Sequence, residues 1–156
     1  MPKLDPPRAP VRTGSIYPAA LPAQMAGRSS RRLGQAGGLT QFGVTLVTPE
    51  PGARSSLRHW HDPEDEFVMV THGTLLLIDD AGETTMEAGA CAAFPAGTPD
   101  GHCFVNRSDG TARFLVIGSR AAREGVTYPD NDLHLTIADG AAAFTGPDGA
   151  PYAAPA

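Results

Sequence analysis

Long apolar runs and basic residues are scarce in this chain of 156 residues. No segment approaches the roughly 18 consecutive apolar residues of a membrane-spanning helix, so we expect no membrane partner. The N-terminus lacks the pattern of a secretory signal, which predicts a cytoplasmic protein. The net charge of −5 argues against a nucleic-acid partner. Arg28, Arg31 and Arg32 form the only basic cluster, which we interpret as a solvated charged segment.

Cysteine is also scarce, with Cys91 and Cys103 as the two representatives. They are too few for a disulfide framework, and a bridge between them is not expected in a reducing compartment. Small apolar residues surround Cys91, which predicts a buried thiol that packs as a small hydrophobe.

Composition divides the chain into three parts. Residues 1–36 are rich in proline, which removes backbone donors, and we expect an extended N-terminal arm without regular helix or sheet. Residues 37–137 hold short segments of β-favouring residues separated by turn residues, which predicts one β-domain. Residues 138–156 are rich in Gly, Pro and Ala and are expected to form a loosely held tail.

The central part predicts an all-β fold. A succession of short strands with turns every eight to twelve or so residues is typical of a sandwich or barrel. One of these strands, 75–78, is apolar throughout, which predicts burial on both of its faces, either between two sheets or at a subunit contact. The predicted strands are 44–48, 57–61, 66–71, 75–78, 84–86, 92–94, 104–105 and 114–117.

Three histidines and one glutamate have the spacing of a metal site. His59 and His61 lie two residues apart, so on a strand their side chains share one face, roughly 7 Å apart, and Trp60 points away. Glu66 begins the next predicted strand, and His102 lies on a later segment that could close the site. Imidazole nitrogens and a carboxylate oxygen are suitable ligands for divalent transition metals.

Other potential ligands fit this arrangement less well. Cys103 follows His102, so strand alternation turns its sulfur away from the same ion. His72 and His134 lie outside the pattern and are interpreted as surface histidines.

The two segments that carry the predicted ligands resemble the two motifs of the cupin superfamily. The first reads Gly52, six residues, His59-Trp60-His61, four residues, Glu66, six residues, Gly73. The second reads Gly89, five residues, Pro95-Ala96-Gly97, four residues, His102, three residues, Asn106. The family pattern has one residue fewer after the first glycine and two fewer before the third histidine. His102 nevertheless has the motif's distance from Asn106, so the longer loop leaves the ligand position in place.

The resemblance implies a double-stranded β-helix, which is a jelly-roll barrel. It implies that His59, His61, Glu66 and His102 hold one divalent transition metal (Zn, Fe, Ni or Mn) in the barrel mouth, and that the protein is a homodimer with a small-molecule ligand. Metal cupins include dioxygenases, decarboxylases, lyases, isomerases and simple binders. We therefore expect a metal-dependent enzyme for a small polar or anionic organic molecule. The alternative is a non-catalytic binding or sensor protein with a structural metal.

Few residues stand out as catalytic groups. The sequence places no second carboxylate or lysine as a general base, so proton transfer is assigned to Glu66 or to a hydroxide held by the metal. Gln41 is predicted to orient the substrate from a strand that enters the barrel. Arg54 and Arg58 could do the same, but we interpret them as structural residues at the surface.

Overall fold

The computed structural model describes residues 3–18, 21 and 25–152, which form a double-stranded β-helix. No helix within these ranges is long and apolar enough to cross a membrane. The one α-helix that the described residues form, α1, spans Leu33–Ala36. The strands are β1 (Arg12–Thr13), β2 (Arg28–Arg32), β3 (Phe42–Pro49), β4 (Trp60–His61), β5 (Glu66–His72), β6 (Thr74–Asp79), β7 (Gly82–Glu87), β8 (Cys91–Phe94), β9 (Cys103–Val105), β10 (Arg113–Ser119), β11 (Arg123–Tyr128), β12 (Leu133–Ala138) and β13 (Ala141–Thr145).

The strands pair into three antiparallel sheets. The largest has the order β1-β2-β3-β10-β5-β8, and the others have the orders β13-β12-β11-β4 and β7-β6-β9. A backbone bridge between His59 and His102 connects the two smaller sheets just beside β4 and β9. Several pairs, such as β3 with β10, β6 with β9 and β4 with β11, join strands from distant parts of the chain.

Side-chain alternation places the core between the large sheet and the smaller ones. On β5, Val68 and Val70 are fully buried, whereas Phe67 and Met69 point outward and are 39% and 38% exposed. Inward residues of the facing strands complete the cluster, among them Phe104 on β9 and Phe114 on β10. This alternation also directs Glu66 inward, because it shares the face of Val68 and Val70.

Most predicted strands match observed ones, with two differences. Of the predicted strand 57–61, only Trp60–His61 is strand β4, because the preceding residues follow bends held by serine hydroxyls. Ser55 accepts a hydrogen bond from the Phe104 amide at 2.9 Å. Within 75–78, Leu75 and Leu77 are buried and the other two residues are half-buried, so both faces are not buried between two sheets of this chain. Burial of the second face at a subunit contact stays a prediction.

The two ends of the chain are more ordered than their composition predicts. Strand β2, within the expected arm, pairs with β3 along its whole length, from Arg28 opposite Pro49 to Arg32 opposite Thr45. This segment contains no proline, so its backbone donors are available for the sheet. Strand β13, within the expected tail, pairs with β12. The described residues do not include 153–156 of the tail or 1–2, 19–20 and 22–24 of the arm.

Both cysteines are free thiols, and their burial differs from the prediction for one of them. Cys91 is exposed because it pairs with Met69 on the outward face of the large sheet. Cys103 is buried, and burial raises the pKa of its thiol.

Candidate metal centre

The mouth of the barrel encloses a cavity of about 220 Å³. It lies between the large sheet and the two smaller ones, with Val47, Phe104 and Phe114 among its apolar walls. The four predicted ligands, His59, His61, Glu66 and His102, all line it. The structure therefore brings together the residues that the two sequence segments supply separately.

Strand pairing explains how these side chains converge. His61 lies on β4, and the backbone bridge holds His59 beside His102. The imidazole centres of His59 and His61 are 4.9 Å apart, and those of His59 and His102 are 5.0 Å apart. Glu66 enters from the first position of β5, on the opposite sheet.

The distances between possible ligand atoms are suitable for one ion. One ligand atom from each of His59, His61 and Glu66 can be chosen so that all lie within 4.8 Å of one another. Two ligand atoms bound at about 2.1 Å to one ion are separated by at most about 4.2 Å, so only small shifts are needed. His102 lies next to this group, because its Nε2 is 3.3 Å from Oε1 of Glu66. His61 Nε2 lies 3.4 Å from Oε2 of the same carboxylate.

Hydrogen bonds to the far side of two rings direct their other nitrogens into the cavity. The Nδ1 of His59 donates to the Leu57 carbonyl at 2.9 Å, and that of His61 donates to Glu124 Oε1 at 2.8 Å. The Nε2 atoms therefore point into the cavity, where each can bind a cation once it is deprotonated. His61 Nε2 is buried and has no hydrogen-bond partner among the described residues. A cation would satisfy it, so these residues fit a metal.

Burial and ion pairing set the charges of the metal-free site. Burial lowers the pKa of His59 to about 4, which keeps this ring neutral. Burial also acts to lower the pKa of His61, but the carboxylates of Glu124 and Glu66 outweigh it and raise the value to about 10. Burial acts to raise the pKa of Glu66, but the hydrogen bond from His102 and the nearby imidazoles of His61 and His59 hold it well below the usual range. At neutral pH the metal-free cluster therefore contains a cationic His61 and an anionic Glu66.

The cationic state of His61 predicts proton release when a divalent ion binds. Since the pKa of His61 is raised to about 10, the ion must displace a proton at every lower pH. We expect about one proton released per ion at pH 7.5 and an apparent affinity that rises roughly tenfold per pH unit from pH 6 to 8. Calorimetric titration in two buffers of different ionisation enthalpy measures the protons directly. Equal heats in both buffers, or an affinity independent of pH, would contradict this expectation.

Sequence reasoning missed two carboxylates beside His61. Glu124 lies on β11 and its side chain is 13% exposed. Glu64 is buried, accepts a hydrogen bond from the Ala121 amide at 2.7 Å, and has a pKa raised by burial. Together with His61 they form a second group whose ligand atoms lie within 4.8 Å of one another. Neither of them lines the cavity, so the prediction that no second carboxylate is placed as a general base still stands as a prediction.

Glu124 is positioned to orient His61 rather than to line the cavity. The substitution Glu124→Gln keeps the shape of the side chain but removes the charge that orients the imidazole of His61. We expect divalent-ion affinity to fall about 10- to 100-fold, measured by competition with a chromogenic chelator. The matched control is Glu87→Gln, because Glu87 is exposed on β7. Equal affinities for the two variants would show that Glu124 plays no part in binding.

The predictions for Gln41 and Arg58 have different outcomes. Gln41 is exposed in a bend before β3 and does not line the cavity, whereas the inward residues Thr45 and Val47 of that strand do. Its predicted role in orienting substrate is therefore not supported. Arg58 forms ion pairs with Asp130 and Asp80, as expected of a structural residue.

Comparison with known proteins identifies the family. The sequence model described as "Cupin domain" matches residues 45–118. A solved structure from Silicibacter pomeroyi, named as a sugar phosphate isomerase from a cupin superfamily, is 57% identical and superposes with a TM-score of 0.95, with 98% of each chain covered. The chain belongs to the cupin superfamily.

Two further structures extend the comparison. A structure from Acidithiobacillus ferrooxidans named as a putative sugar phosphate isomerase is 30% identical, with a TM-score of 0.73 over 78% of this chain and 77% of that one. A polyketide cyclase from Streptomyces resistomycificus is 21% identical, with a TM-score of 0.63 over 76% of this chain and 79% of that one, and shows the fold alone. No curated protein matches the chain. Cupins typically bind a metal, and the His/Glu cluster of this chain could hold one.

Proposed function

We propose that the protein is a metal-dependent isomerase of a small phosphorylated sugar. One divalent transition metal (Zn, Fe, Ni or Mn) would be held by His59, His61, Glu66 and His102. The observation that carries the proposal is the convergence of these buried donors on one cavity in which an ionised carboxylate is available. The names of two similar structures, at 57% and 30% identity, favour an isomerase over the other reactions of metal cupins.

An isomerase of this class needs little chemistry from the protein. Interconversion of an aldose and a ketose moves one hydrogen between neighbouring carbons and one proton between their oxygens, with no net oxidation. A bound divalent ion supplies a Lewis acid that polarises the carbonyl. The protein must then supply one group that accepts and returns a proton, and a cavity that excludes water.

Glu66 is the candidate for that proton transfer. No other carboxylate among the described residues lines the cavity, and its low pKa keeps it ionised at neutral pH. Glu66 takes the proton from C2 of the aldose while the C1–C2 double bond forms and the C1 carbonyl becomes an enolate oxygen. It then returns the proton to C1 while the C2 carbonyl forms and the O2 proton moves to O1. Atoms and charges balance without an oxidant or a second substrate.

The test combines metal analysis with turnover in deuterated water. Protein purified without added metal is incubated with a panel of aldose phosphates, and products are followed by NMR. We expect a ketose phosphate that carries solvent deuterium at C1, and a loss of rate of about 100-fold or more in Glu66→Gln. Metal content measured on the same Glu66→Gln sample separates loss of the base from loss of the ion. Metal-loaded protein that binds these compounds without turnover would instead support the binding or sensor function.

We also propose a cytoplasmic homodimer that requires no nucleic acid. The outward face of the large sheet is apolar, with Phe42, Phe67 and Met69 exposed by 42%, 39% and 38%. Val44, Leu46, Leu115 and Ile117 lie on the same face, because they pair in register with these residues. A continuous apolar surface of this kind is typical of contacts between subunits.

A charge placed on that face should separate the subunits. We expect Phe67→Glu to weaken the dimer at least tenfold or so, measured by sedimentation velocity across a dilution series. Val11→Glu is the matched control, since Val11 is 53% exposed on the N-terminal segment. A monomeric native protein, or a Phe67→Glu dimer as stable as the native one, would contradict the proposal.

A further inference from the structure

A single arginine faces the cavity from the edge of the large sheet. Arg28 begins β2 and pairs with Pro49 of β3, two positions from Ser30, which pairs with Val47. Since alternate residues share a face, Arg28 lies on the inward side with the buried Ser30 and Val47. Its side chain lines the same cavity as His59, His61, Glu66 and His102. The interpretation of residues 28–32 as a solvated charged segment is therefore wrong for Arg28.

Among the described residues, no carboxylate pairs with the guanidinium of Arg28. Its Nε is buried and has no hydrogen-bond acceptor, and the side chain forms no ion pair among the residues that the structure describes. Arg58 and Arg107, in contrast, each pair with carboxylates. Burial lowers the pKa of Arg28, which is the expected effect of withdrawing a cation from water. An uncompensated buried charge is destabilising, so folding alone does not explain this residue.

The rest of the cavity explains what an unpartnered guanidinium could bind there. Apart from Arg28 and the histidine and glutamate cluster, the lining consists of hydroxyl and apolar side chains, such as Thr45, Ser55 and Val116. Arg28 is therefore the one cationic side chain outside that cluster among the described lining residues. A guanidinium presents several N–H donors in one plane, which match the oxygens of a phosphate group.

We propose that Arg28 binds the phosphate group of the substrate and so selects phosphorylated sugars over neutral ones. This inference rests on the proposed function for its choice of substrate, since the sugar carbonyl would be at the histidine cluster and the phosphate at β2. Tyr17 lines the cavity as well and is close enough to Arg28 for an electrostatic interaction. The N-terminal segment therefore supplies the wall of the cavity beside the phosphate.

The test uses metal-free protein and inorganic phosphate, so that neither the ion nor turnover contributes. Binding is measured by calorimetry for the native protein, Arg28→Met and Arg28→Lys, with Arg113→Met as a surface control of equal charge change. Arg113 is exposed on β10. We expect phosphate binding to weaken about 10- to 100-fold in Arg28→Met and less in Arg28→Lys, with the control unchanged.

Thermal unfolding of the same samples separates a binding role from a structural one. Removing an unpartnered buried charge should leave the midpoint of Arg28→Met unchanged or higher when no phosphate is present. The stabilisation that phosphate gives the native protein should be absent from this variant. A large drop in the midpoint without phosphate would instead assign Arg28 a structural role and overturn the proposal.

The outcomes distinguish this inference from the proposed function. If native metal-free protein does not bind phosphate, if Arg28→Met binds it equally well, or if acetate binds with the same affinity, the inference is overturned. Phosphate binding that depends on Arg28, in a protein that isomerises no sugar phosphate, would leave the inference standing and remove the proposed function. An active isomerase whose KM is unchanged in Arg28→Met would support the proposed function and overturn the inference about Arg28.

Discussion

Replacing both His59 and His61 by alanine is expected to abolish stoichiometric binding of a divalent ion. Two of the four converging donors are removed, and the Glu66 carboxylate loses one imidazole that lies 3.4 Å away. Ion binding to a complete set of four protein ligands contributes on the order of 10 kcal/mol or more, so losing half of the ligands should weaken affinity by about 10⁴-fold or more. The measurement is metal content by mass spectrometry after purification without added metal.

The matched control for this variant is His72→Ala, because His72 is exposed at the end of β5 and does not line the cavity. It should retain the metal content of the native protein. The double variant should remain folded, since the imidazoles line a cavity instead of filling the main apolar cluster. A near-stoichiometric ion retained by the folded double variant would mean that the ion is held elsewhere in the chain.

Asn106→Ala is expected to destabilise the fold by about 3–4 kcal/mol. Asn106 is fully buried, and its amide nitrogen donates to the carbonyls of Pro49 and Gly110 at 2.9 Å and 2.8 Å. Its amide oxygen accepts hydrogen bonds from the backbone and hydroxyl of Ser108 at 3.0 Å and 2.7 Å. Alanine would remove all four hydrogen bonds and leave the carbonyl of the buried Pro49 without this donor.

Urea-induced unfolding measures this loss, with Ser108→Ala as the comparison. That variant removes one hydroxyl and should cost no more than about 1 kcal/mol. Similar midpoints for Asn106→Ala and the native protein would show that the network contributes little. A loss of stability would assign Asn106 of the second motif a structural role. Its side chain connects two loops and does not line the cavity.

Strand alternation and the two motifs made much of the fold and the ligand set predictable. Alternating residues of β3, β5 and β10 have one apolar face against the core, so the strands follow from local pattern. The positions of His59, His61, Glu66 and His102 follow from motif spacing, and all four line one cavity.

The remaining features depend on pairings between distant segments. β2 consists of two serines and three arginines, so no apolar alternation marks it as a strand, and its structure depends on the edge of β3. Glu124 reaches His61 because β11 pairs with β4, which no local pattern indicates. Cys91 is exposed for a related reason. The register between β8 and β5 determines whether its side chain points inward or outward.

The cavity is assembled from segments that can vary independently of one another. The histidines and Glu66 lie within or beside the two motifs, whereas Arg28 and Tyr17 precede the stretch 45–118 that defines the family. Under the two proposals above, ion binding and phosphate recognition would be encoded in different parts of the gene. We would then expect mutations before residue 33 to change substrate choice while the ion-binding residues stay intact. Relatives that share both motifs but differ in their first strands would then share a reaction type without sharing substrates.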